Sequence, residues 1–270
     1  MLQYIVVILD LKRRDMMRMN HIGETNYNKV GSKMIIINYY SCRDMEVYFE
    51  DYNWIYYHAR YDTFKNGQLK CPYEPRAFDI GFLGEGKYTK KEHEFYYTKW
   101  HGIIQRVKSE KYHDDKPTYI DVEIGDMKNF QIFCEWMDEN YYTIPNETMC
   151  IDKDILFKNN KLYDTSKCCV VPNNINVLFT KNDSIRGECP IGVSYSKTKG
   201  KFIATCSHYD FSRHKKGNKH LGYFNNEIDA FELYKTFKEN EIKYRADYYK
   251  DYLPQNVYEA LYNYEVEIND

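Results

Sequence analysis

The chain has 270 residues, with 38 Lys and Arg against 40 Asp and Glu, a formal net charge of −2. Hydrophobic residues make up 43% and aromatics 17%, a composition of packed cores that excludes a disordered polyelectrolyte. No apolar run reaches membrane-spanning length, so a cytoplasmic protein with no membrane partner is expected.

The apolar opening from Leu2 to Leu9 runs into Asp10 and lacks a basic leader, so it reads as a strand rather than a signal peptide. A true start nearer Met19 is the alternative. Residues 20–90 look strand-like and are punctuated by glycine. Gly23 and Gly31 precede Met34-Ile35-Ile36-Ile37-Asn38-Tyr39, then Glu46-Val47-Tyr48-Phe49, with Gly67, Gly81, Gly84 and Gly86 beyond. A small barrel or curled sheet is expected, giving a β-rich module over residues 1–90. The period then changes. Trp100, Ile103, Ile104 and Val107 share one helical face, and Phe130, Phe133, Cys134, Met137 and Tyr141 repeat at helical spacing behind Asp126 as N-cap. Trp100 and Trp136 are expected to anchor the core. After Pro145 the chain reads strand, loop, strand, helix through Cys150–Phe179, completing a central domain over residues 91–185.

Residues 201–206 alternate, with Phe202, Ala204 and Cys206 on one face and Lys201, Ile203 and Thr205 on the other. A basic turn from Arg213 to Asn218 leads into a returning strand, His220 to Phe224. A helix capped by Asn225 or Asn226 follows, carrying Ile228, Phe231, Leu233, Tyr234 and Phe237. Between Gly192 and Gly222 stand seven Lys or Arg and one acid, Asp210, on a chain that is otherwise near neutral. A local basic sheet of this kind is the footprint of phosphate contact. Residues 186–250 are expected to form this domain and to bind duplex DNA alone. Residues 251–270, with five acids and no Lys or Arg, form an acidic tail that should not touch DNA.

Eight cysteines (42, 71, 134, 150, 168, 169, 189 and 206) include no CxxC pair, so neither zinc nor a disulfide framework is expected. The 29 tyrosines are read mainly as AT-rich coding and secondarily as a surface for base stacking.

Two resemblances join these readings. Pro190-Ile191-Gly192-Val193, Gly200-Lys201-Phe202-Ile203-Ala204, His220-Leu221-Gly222-Tyr223-Phe224 and Ala230-Phe231 together resemble the plant ethylene-response-factor type of DNA-binding domain. This implies a three-stranded antiparallel sheet plus helix and double-stranded DNA as partner. The DNA-binding residues implied are Ser194, Tyr195, Lys197, Lys199, Lys201, Thr205, Ser207, Lys219 and His220. Several arginines of that family are replaced here by Ser194, Thr205 and Ser207, so phosphate anchoring carries over better than base preference.

The second resemblance lies in Ile151-Asp152-Lys153-Asp154-Ile155, Asn159-Asn160-Lys161-Leu162-Tyr163 and Cys168 to Asn176. Their layout is similar to HNH (histidine–metal finger) nucleases. With Gly23-Glu24, Gly31 to Ile36, Gly84-Glu85-Gly86, Trp100 to Arg106 and Arg186-Gly187 to Val193, the whole chain resembles phage homing-endonuclease-like proteins. An α+β protein is therefore expected: a β-rich module, an HNH-like α/β finger, and the basic sheet with its helix. The resemblance implies Asp152, Asp154, Asn174 and Asn176 as catalytic residues, with Mg²⁺ held by Asp152, Asp154 and Asn176.

Phosphodiester cleavage needs an activated water, neutralisation of the scissile phosphate and support for the leaving oxygen. No histidine stands at the expected base position, and an aspartate with a pKa of about 4 is a poor general base. Water activation by the ion or by a distant His101 or His113 is one reading. A finger that keeps its fold without the chemistry, leaving a DNA-binding regulator or remnant, is the second. An RNA-binding module using the tyrosines is a third.

Overall fold

The computed structural model describes residues 21–180 and 189–268. The expected first strand over Leu2–Leu9, the Met19 alternative and the Arg186-Gly187 junction lie outside them. The protein is α+β, in two compact units that meet in sequence at Lys87 and Tyr88, close to the expected limit at residue 90. Among the described residues no helix is long and apolar enough to cross a membrane.

The first unit is an antiparallel meander of β1 (Thr25–Tyr27), β2 (Lys33–Ser41), β3 (Asp44–Phe49) and β4 (Trp54–Ala59), in that spatial order. The alternation seen in sequence sets its buried face. Met34 opposes Phe49 and Ile36 opposes Val47, and all four are fully buried. The short helix α1 (Tyr61–Lys65) contributes Phe64 to this core, and the following segment contributes Leu69 and Cys71. The described strands form an open sheet with β1 and β4 at its edges, so the expected barrel does not close. Residues 66–87 add one isolated bridge, Ala77 to Gly81, rather than further strands.

In the second unit, α2 (Glu94–Lys108) buries Trp100, Ile103, Ile104 and Val107, the expected face. After α3 (Glu110–Asp115) comes β5 (Glu123–Ile124), and α4 (Phe130–Asn140) buries Phe130, Phe133, Cys134 and Met137. The cap of α4 is Asn129, whose side chain accepts from Gln131 N. Asp126 instead sits in a preceding 3₁₀ turn, where its carboxylate accepts from Thr165 N and Oγ1. Trp100 is a core anchor, donating from Nε1 to Met127 O at 2.9 Å, and Trp136 is buried as well.

Next, β6 (Met149–Asp152) pairs antiparallel with β8 (Cys169–Pro172), which runs straight into the one-turn helix α5 (Asn173–Asn176). Between them β7 (Leu162–Tyr163) pairs in parallel with β5. The eight cysteines are all free thiols. Burial pushes the thiols of Cys134 and Cys168 up to about 12.

The C-terminal sheet has the order β11-β10-β9, with β9 (Val193–Ser196), β10 (Lys201–Asp210) and β11 (Lys215–Phe224). The returning strand thus starts five residues before His220, and Lys215 and Lys216 belong to it rather than to the turn. Val193, Ala204 and Cys206 pack against Ala230, Phe231 and Tyr234 of α6 (Glu227–Tyr248), which is capped by the Asn226 side chain at 2.8 Å from Asp229 N. Ile228 and Leu233, expected on the apolar face of α6, are exposed instead. The acidic segment is not a free tail. Its helix α7 (Gln255–Tyr262) buries Val257 and Leu261, and Val266 enters the same core as Val193. A domain cut at residue 250 would leave that place empty. Nor do the expected central and C-terminal domains separate into two units: both belong to residues 88–270.

Candidate functional site

One small cavity of about 120 Å³ lies beside β6 and α5, lined by Asp152, Asp154 and Asn176, the three residues expected to hold a metal. Helix α2 supplies Lys99, Ile103 and Arg106 to the same cavity, and Tyr119, Lys153 and Tyr163 complete its polar wall. Lys99 and Arg106 stand seven residues apart, two helical turns, so they point the same way from α2. In the sequence Arg106 stands out only as the end of the Trp100 to Arg106 motif and Lys99 not at all, although their spacing pairs them.

The loop between β6 and β7 is held by its own polar groups. Asn160 Nδ2 donates to Lys153 O at 2.8 Å and Leu162 O at 2.7 Å, and its Oδ1 accepts from Leu162 N. Lys99 Nζ donates to Met149 O at 2.9 Å, tying α2 to β6. Asp152 closes β6 and is almost wholly buried. Its Oδ1 accepts from Asp154 N at 2.7 Å and Ile155 N at 2.8 Å, an arrangement that turns the chain at the end of the strand. Burial, then the neighbouring Asp154 carboxylate, raises the Asp152 pKa to about 6, against which the two N–H groups act. The ordinary carboxylate value assumed from sequence therefore does not hold, and Asp152 titrates close to neutrality.

Asp154 is half-exposed, and the buried Lys153 ammonium donates to both of its oxygens, at 2.8 and 2.7 Å. Two hard carboxylates and one amide suit Mg²⁺ rather than a soft metal. The penalty on the buried Asp152 charge is what a bound cation would relieve, but an ion would have to displace the Lys153 ammonium from Asp154. Among the described residues no group of three or more His, Cys, Asp and Glu is placed to hold a metal, so Asn176 would be needed as the third protein ligand. Asn174 is elsewhere: its Oδ1 accepts from Arg245 Nη1 at 2.9 Å and its Nδ2 donates to the Tyr249 hydroxyl at 3.3 Å. His101 and His113 do not line the cavity. His101 packs on Tyr97, and His113 Nε2 lies 2.9 Å from Arg106 O.

On the C-terminal sheet, strand register sorts the expected DNA-binding residues. Ser194, Lys201, Thr205, Ser207 and His220 share the face away from α6, with Thr205 opposite His220 and Ile203 opposite Ser194 and Tyr223. Lys197 and Lys199 occupy the β9–β10 turn. Lys199 reaches over the Tyr223 ring, 4.0 Å from its centroid, and donates to the Tyr223 hydroxyl. Lys201 donates to Asn225 Oδ1. Two residues fall on the other side. Tyr195 opposes Phe202 and packs on its ring, and Lys219 opposes the buried Cys206 and lies 5.1 Å from the Phe237 ring on α6. A bulge between Ala204 and Thr205 adds one residue to β11, which period-2 reasoning does not foresee.

Compared with known proteins, the chain matches no protein-family model, no curated protein and no solved structure.

Proposed function

We propose that this chain is a metal-dependent DNA endonuclease that docks on duplex DNA through the face of β9–β11 carrying Lys201 and His220, and hydrolyses a phosphodiester at the finger cavity. One observation carries the reading: Asp152, Asp154 and Asn176 line a single cavity whose other walls bear Lys99, Arg106 and Lys153. Carboxylates to hold a divalent ion and cations to take a phosphate are the two requirements of the chemistry. Mg²⁺ held by Asp152, Asp154 and Asn176 would supply Lewis acidity and a more acidic bound water. Lys99 and Arg106 hold the phosphate from the α2 side, and Lys153 orients Asp154 by donating to both of its oxygens. As a ligand Asp152 would stay ionised, its buried charge offset by the cation, and no histidine lines the cavity to take the proton.

A second reading, a DNA-binding protein on a nuclease-like frame, is favoured by Lys153, which already occupies both oxygens of Asp154. Incubation of supercoiled plasmid with the whole chain, with Mg²⁺ or with EDTA, separates the two. Mg²⁺-dependent nicking supports the endonuclease. A chain that retards duplex DNA yet never nicks it, with Mg²⁺ or Mn²⁺, is the binding protein.

A further inference from the structure

The one-turn helix α5 presents Asn176 to the cavity, but four residues cannot hold a helix by themselves. What fixes α5 comes from α6. Arg245 is completely buried, and its Nη1 donates to both the backbone oxygen and the side-chain oxygen of Asn174. Its Nε donates to Glu241 at 2.8 Å, and Glu241 is buried as well. The same Glu241 accepts from Tyr209 N at 3.0 Å and lies 2.6 Å from His208 Nδ1, both on β10 of the basic sheet. A second buried cation of α6, Lys238, donates to Leu178 O just beyond α5 at 2.7 Å. Tyr249, one turn beyond Arg245, closes the set by bridging Asn174 and Glu147.

Burying a guanidinium and a carboxylate is seldom the cheapest way to stabilise a core, since well-packed apolar residues of similar volume often do as well or better. What the ionic pair adds is direction: a planar fork that fixes one carbonyl and one amide at defined angles. Resting on the endonuclease reading, we infer that Arg245 is a positioning residue, which clamps α5 to the sheet so that Asn176 faces Asp152 and Asp154. His208 and Tyr209 at one end of Glu241 and Asn174 at the far end of Arg245 make the clamp continuous from β10 to the cavity wall.

The test uses the full chain with Arg245→Lys, Arg245→Met and, should the latter fold poorly, Glu241→Gln. Amide hydrogen exchange of residues 173–178 in EDTA should speed up by about tenfold or more, while α4 and β10 stay as in the wild type. Unchanged exchange at 173–178, or acceleration spread equally over residues 88–268, overturns the clamp. Where the wild type nicks plasmid, the Mg²⁺ concentration for half-maximal nicking should rise about 10- to 100-fold, as for loss of a group that orients a metal ligand. Arg245→Lys should recover part of that loss. A purely structural role would lower the melting temperature and the folded fraction yet leave that midpoint in place, which also overturns the inference. If the wild type binds DNA and never nicks it, the endonuclease reading fails by itself, and the clamp stands or falls on the exchange data.

Discussion

Lys153 Nζ lies within 2.8 Å of both carboxylate oxygens of its neighbour Asp154, in a wall where the lysine is buried and the aspartate is not. The pair behaves as an internal cation held where an external one is expected. Removing the acid leaves the ammonium with Asn160 O as its other hydrogen-bond partner. Because Asp154 is more than a third exposed, water screens part of that loss, and Asp154→Ala should destabilise the chain by only about 1–2 kcal/mol. Urea unfolding checks this, and a Lys153→Met, Asp154→Ala double variant should regain most of it. The same Asp154→Ala chain should lose Mg²⁺-dependent nicking with its DNA dissociation constant within about threefold of wild type, since the acid lies off the basic sheet. Nicking that survives in an Asp152→Ala, Asp154→Ala chain would move the chemistry elsewhere.

Asp152 gives stability a particular dependence on pH. Its proton is held more tightly in the folded chain than in the unfolded one, with a pKa of about 6 against 3.8. Its favourable contribution is therefore complete below pH 3.8 and is lost as pH rises to 6, at a cost of about 3 kcal/mol above that. In EDTA, Asp152→Asn should gain stability relative to wild type across this window and stay ahead above it. The amide oxygen can still accept the N–H groups of Asp154 and Ile155. Denaturation series at pH 4, 5, 6 and 7 measure the difference; a gap that does not widen with pH would refute the burial of this charge.

The two faces of the sheet predict unequal lysines. Lys199→Ala, Lys201→Ala should weaken binding to all duplex sequences alike and flatten the salt dependence by a log–log slope of about 1.8, two phosphate contacts. Lys219→Ala should leave the affinity nearly unchanged, because its ammonium sits over Phe237 on the helix side. Titrations by fluorescence anisotropy between 50 and 200 mM salt, roughly the range over which such contacts are lost, compare the three chains. A larger effect from Lys219 would reverse the assignment of faces.

Gly192 lies against the Tyr234 ring at a φ of +75°, where an added Cβ would meet ring carbons at 2.1 Å. Gly192→Ala combines backbone strain with a clash in the C-terminal core, and should cost about 2–4 kcal/mol. A shift in the unfolding midpoint of that size checks it. DNA affinity should fall with the folded fraction, and not before.

The elements set by periodicity were legible in the sequence. The apolar faces of α2 and α4, the alternation of β10 and the basic excess around it came from patterns of 3.6 and 2 that the fold preserves. The residues proposed to hold a metal came from resemblance, and the cavity is lined by Asp152, Asp154 and Asn176 while Asn174 serves Arg245. What stayed hidden depends on distant contacts. Lys99 and Arg106 become pocket residues only because β6 runs past α2. Arg245 and Glu241 look like surface charges of an amphipathic helix until β10 and α5 close over them. The pKa of Asp152 follows from burial, which no local pattern encodes.

Val266 packs in the same core as Val193, on the underside of a sheet whose basic residues all lie between positions 197 and 219. A chain broken after Tyr248 would keep every lysine and arginine of that surface and lose the apolar plug beneath it. The charge of that surface and the support beneath it are thus encoded apart: a shortened copy carries the first without the second.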